Sequence, residues 1–144
     1  MQNIRPAAVA GMFYPAEPRQ LAQDVKQLLA QARTNAPRPF DLTPKALIVP
    51  HAGYVYSGAI AATAYATLQP IASRIRRVVL LGPTHRVAVR GLALPGVDAF
   101  DTPLGRVTLD AAGARAGTFA GSATTIPAKH IDGFHAVAVG SRHG

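Results

Sequence analysis

Two histidines sit at matching places in this chain. In "ALIVPHAGY" (residues 46–54) an apolar run ends at a proline and is followed by His51. In "VVLLGPTHR" (residues 78–86) a longer apolar run ends at Gly-Pro and is followed by His85. A neutral imidazole is a good nitrogen ligand for zinc or non-haem iron, and copper is not excluded. Two imidazoles at one point would be a partial coordination set, still needing a third ligand, usually a carboxylate. A lone histidine after a strand is more often a loop residue or a hydrogen-bonded cap than a ligand. The question is whether topology brings the two together. Tyr54, Thr84 and Arg86 flank them as candidates to line a substrate or partner cleft. Tyr56 reads as a surface or packing residue.

The elements that must position this pair read as follows. Residues 1–15 are extended and turn-rich, with Pro6, Gly11 and Pro15 as breakers. Residues 16–33 form a helix, with Leu21, Val25, Leu28, Leu29 and Ala32 on one face and Pro18 in its first turn. A proline-rich connector (34–44) leads to "KALIV" (45–49), a short apolar run read as a strand buried on both faces. An alanine-rich helix follows over 57–69 with Ser57 as its N-cap, then a second buried strand, "RRVVLLG" (76–82). Strand, helix and strand make a βαβ unit with parallel strands and a right-handed crossover. Further strands are expected at 90–96 and 105–110, separated by a turn-rich loop. Asp98, Asp101 and Asp110 fall in or beside turns.

In an open parallel sheet, ligands bind beyond the carboxyl ends of the strands. His51 and His85 both lie there. With neighbouring strands ~4.8 Å apart, both imidazoles can reach one point, and Gly53 and Gly82 supply the backbone freedom for the loops between.

The stretches "RPAAVAGMFYP", "VPHAGYVYSG", "LLGPTHR" and "FDTPLGRVTLD" resemble, in order and spacing, the Memo family, whose bacterial and archaeal members are called AmmeMemoRadiSam system protein B. The resemblance covers roughly residues 4–112. It implies an α/β fold, with a three-layer, mostly parallel β-sheet and flanking helices, similar to class III extradiol ring-cleaving dioxygenases. Those enzymes hold iron(II) with two histidines and an acidic residue. The family's two motif histidines correspond to His51 and His85, which makes these the implied metal and catalytic residues. The family name implies radical-SAM and AMMECR-like proteins as partners. A non-catalytic protein- or peptide-binding module using the same cleft is the alternative function.

Members of the family are longer than this chain, and their later half carries His-Ser-hydrophobic-Glu and Ser-Ser-Asp segments. "GTFAGSATTIPAKHIDGFHAVAVGSRHG" (117–144) shows neither. Residues 1–112 are therefore read as the N-terminal half of the family fold and 113–144 as a divergent tail. A truncated or frame-shifted reading frame would produce such a tail, and an authentic divergent end is the alternative. Asp132 lies in that tail. A shortened sheet leaves an unpaired strand edge, which favours self-association.

Bulk properties set the remaining expectations. At 144 residues, with 49% hydrophobic and 15% charged residues, the chain fits one folded domain. No apolar run approaches the ~20 residues of a membrane span. No basic-then-apolar secretory start is visible, so the cytoplasm is the default location. With no cysteine, disulfides and thiolate metal sites are excluded.

The net charge of +8 and pI near 10.9 raise nucleic-acid binding. The basic residues are scattered, the tightest cluster being Arg74, Arg76 and Arg77, and no aromatic side chain interleaves with it for base stacking. Binding to DNA or RNA is accordingly expected to be weak, indifferent to sequence, and gone by ~150 mM salt. Titration across salt concentrations checks this, and tight, sequence-selective binding at the higher salt would contradict it.

Overall fold

The computed structural model describes residues 2–35, 44–82 and 93–110, together with the backbone of residues 122–127 and 137–138. The first element is a short strand, β1 (Ile4–Arg5), followed by a chain of turns through residues 8–14. Helix α1 (Pro18–Asn35) begins at the expected proline. Glu17 caps it: its carboxylate accepts from the N–H groups of Arg19 at 3.0 Å and Gln20 at 2.6 Å. An acidic group there also opposes the positive end of the helix dipole. The expected apolar face is the buried one, with Leu21 fully enclosed and Ala32 buried.

Helix α2 (Tyr54–Ala66) begins three residues before the expected start, and Ser57 is not its cap. Gly53 takes the N-cap place, having no side chain to offer as a cap, and its carbonyl accepts the first helical bonds from the N–H groups of Tyr56 and Ser57 at 2.9 and 3.1 Å. At the other end, the Thr67 hydroxyl donates to the Ala64 carbonyl at 2.6 Å. Pro70 then sits at the start of a 3₁₀ turn, Gln69–Arg74. The two helices pack at Gly58, where a Cβ would stand 3.1 Å from the Leu28 Cδ1. The missing methyl is what lets Leu28 close onto α2.

Strand β2 (Arg77–Gly82) forms where the second apolar run predicts it. Its neighbours differ from expectation. β2 is the centre of an antiparallel sheet between β5 (Ser122–Pro127) and β6 (Val137–Ala138), pairing Val79 with both Thr125 and Ala138. Both of its edges are taken there, so residues 45–49 are not its parallel neighbour. That segment makes no strand among the described pairings, only an isolated bridge at Ala46. Nor is it buried on both faces. Leu47 packs on the core and Val49 is buried, whereas Ile48 between them is 98% exposed. One face is covered and the other is not.

A second sheet, ordered β1-β3-β4, is mixed. Strand β3 (Ala99–Thr102) pairs parallel with β1 and antiparallel with β4 (Gly105–Thr108). β3 lies where a turn-rich loop is expected, and of the strand expected over 90–96 the described residues 93–96 are not strand. Polar side chains hide β3 from pattern reading, yet they pair across the ladder. Asp101 faces Arg106, which grips it with two bonds of 2.7 and 3.1 Å, holding the carboxyl below its usual range and raising the guanidinium. Arg5 lies 5.7 Å over the Phe100 ring. Gly105, at φ +127°, closes the hairpin in a conformation that favours glycine.

Helices with small mixed and antiparallel sheets are consistent with part of an α/β fold. Parallel pairing is confined to β1–β3 among the described strands, so the expected predominance of parallel strands is not found. The main core cluster joins Leu68, Ile75 and Val78, with Leu47, Tyr65, Ile71 and Leu80 packed against it. No helix of the described residues is long and apolar enough to cross a membrane. Because Leu21 is enclosed on all sides, Leu21→Ala is expected to lower unfolding free energy by ~2–5 kcal/mol. Leu94→Ala, at a side chain left exposed, changes it little; urea denaturation of both variants checks the contrast.

Candidate functional site

His51 stands on the short loop between Val49 and α2, with its side chain exposed. The loop is pinned from several directions. Val49 is buried on one side of it. On the other, the Tyr54 N–H donates to the Phe13 carbonyl at 2.8 Å. The Ser57 hydroxyl reaches back to the Ala52 carbonyl at 2.9 Å, a backbone-anchoring role in place of the expected cap.

Gly53 completes the anchor. A Cβ on it would lie 3.3 Å from the Phe13 carbonyl oxygen and 3.4 Å from the Phe13 Cα. Its φ of −57° is open to any residue, so this glycine is present for close backbone approach and not for conformational freedom. Gly82 shows neither need, with open space where its Cβ would be.

Phe13 is held in turn by a tight fold of the 9–14 segment. Gly11 at φ +82° lets the chain reverse, its N–H donates to the Tyr14 carbonyl at 2.8 Å, and the Phe13 N–H donates to the Val9 carbonyl at 3.0 Å. The Tyr14 and Tyr54 rings meet at 6.0 Å between centroids, tilted by 50°. "GMFYP" and "PHAGY", almost forty residues apart in sequence, are thus one structural unit. Sequence reasoning missed Phe13, Tyr14 and Glu17. The signal available was Gly53, whose neighbour across the gap no periodicity reveals.

Tyr54, expected at a cleft, is half-buried between the 9–14 turn and the helices. Burial raises its phenol pKa first, with the nearby Tyr65, Tyr14 and Asp24 adding to the rise. Burial alone raises Tyr65 and Tyr14. Tyr54 is therefore a neutral hydroxyl at physiological pH, suited to hydrogen bonding and not to acting as a base. Tyr56 is 86% exposed, in keeping with its reading as a surface residue.

His85, Thr84 and Arg86 lie outside the described residues, as does Asp132. Among the described residues, no group of three or more His, Cys, Asp or Glu gathers to hold a metal ion. Asp98 accepts the Asn3 N–H at 2.8 Å and so fastens β1 to the start of β3. Asp101 is not in a turn but within β3, gripped by Arg106. The described residues alone do not make up a three-ligand site around His51.

A model of the Memo-like protein family matches residues 5–116, which contain the 9–14 turn, the His51 loop, α2, β2 and the β3–β4 hairpin. The chain is 43% identical to Protein MEMO1 of Xenopus tropicalis over 106 residues, which are 74% of this chain and 33% of that protein. It is 40% identical to the Protein memo-1 homolog of Caenorhabditis elegans over 109 residues, 76% of this chain and 29% of that one. A MEMO1 family protein of Pyrobaculum arsenaticum is 38% identical over 114 residues, 75% of this chain and 39% of its own. The chain belongs to the Memo-like protein family. Its matched part spans about a third of the length of these curated relatives.

The packing at Gly53 carries a direct consequence. The three atoms nearest its absent Cβ are all backbone of Phe13, which cannot rotate away as a side chain can. Gly53→Ala is expected to destabilise by ~1–3 kcal/mol and to speed hydrogen exchange at the Tyr54 N–H as the two motifs part. Denaturant unfolding and exchange measured by NMR check it; unchanged exchange at Tyr54 would contradict the contact.

Proposed function

We propose that His51 and His85 are two ligands of a metal site of the dioxygenase type, which this chain holds only in part. The carrying observation is that the family match spans both histidine motifs, while the anchored loop presents the His51 imidazole outward. The likeness of the family to class III extradiol dioxygenases supports iron(II) as the ion, with zinc and copper as competitors for the same nitrogens. The same likeness supports a three-layer, mostly parallel sheet for the complete family fold.

The donor chemistry explains why the site is partial. Two neutral imidazoles bring no negative charge to a divalent ion. Facial iron(II) sites add a carboxylate to two histidines for that reason. Three carboxylates of known engagement, Asp24, Asp98 and Asp101, are committed to Gln20, Asn3 and Arg106. Within such a site, the role of this chain's own residues is to present imidazole nitrogens from a loop that cannot drift, with the Ser57 hydroxyl and Phe13 carbonyl as its anchors.

Cobalt(II) titration of the purified chain, followed by its visible spectrum, tests both halves of the proposal. Weak, saturable binding is expected, removed in the His51→Ala, His85→Ala double variant. Iron, zinc and copper retained after dialysis should fall well below one per chain. Stoichiometric retained metal would overturn the partial site, and cobalt binding unchanged in the double variant would overturn the histidine assignment. Circular dichroism on both proteins establishes that each is folded.

A further inference from the structure

We draw no further inference here: the strongest candidate, the exposed outer face of helix α2 with Val55, Tyr56 and Ile60, carries nothing because nothing in the structure shows what covers it.

Discussion

The approach of Gly53 to the backbone of Phe13 is the constraint on which the rest of the site depends. It brings a reversing turn near the N-terminus against the loop that ends in α2, at a separation that a side chain would crowd. Everything around it serves to keep that approach in place. Gly11 makes the turn, the Tyr54 N–H bridges it, the Tyr14 and Tyr54 rings close its flank, and the Ser57 hydroxyl ties down the carbonyl after His51. None of these groups has an evident reactive role. Together they turn a surface histidine into one with a defined place, which a ligand of any kind requires.

The same helix that receives this anchor is a compromise between two environments. Small residues on its inner side let α1 come close, as Gly58 does for Leu28. Alanine elsewhere favours the helix without demanding a partner. Tyr54 and Tyr65 on the same helix are half-buried, whereas Val55, Tyr56 and Ile60 stand exposed on the outer side. Ile48, on the segment leading into His51, shows the same division, with Leu47 and Val49 turned inward and Ile48 outward. Two successive segments around one histidine thus carry more apolar surface than the described structure encloses.

Pattern reading recovers the parts of this fold that are locally determined. Helix α1 follows from a five-residue apolar face and a proline fit for the first turn. β2 follows from an uninterrupted apolar run. The errors lie where tertiary contacts decide. Residues 45–49 have the composition of a doubly buried strand, but composition cannot state which neighbour takes an edge, and β5 and β6 hold both edges of β2. Strand β3 reads as a loop because Asp101 and Thr102 are polar, and only the partner strand shows that Arg106 balances the aspartate. Ser57 satisfies every local rule for an N-cap and still serves another purpose, since the helix starts earlier once Gly53 is fixed against Phe13. The His51 motif was recognisable from its residues; the nearby turn that supports it was not, because the pairing is non-local.

The scarcity of acidic residues links the charge of the chain to what it could offer a metal beside its histidines. Only seven Asp and Glu stand against fifteen Lys and Arg. Of those seven, Glu17 caps α1, Asp24 accepts from Gln20 at 2.6 Å, Asp98 binds Asn3, and Asp101 binds Arg106. Each is engaged with a donor of the fold. A carboxylate recruited from such a position to a metal would leave its former donor to find another partner, and for the Glu17 cap the cost is ~1 kcal/mol of helix stability. Positive charge in excess adds a second cost, because it opposes a divalent cation at any distance that salt does not screen. A histidine pair can be carried by a chain of this composition. The anionic ligand that would make the pair hold iron must be a residue with no structural duty, and the fold described here has given such duties to four of its carboxylates.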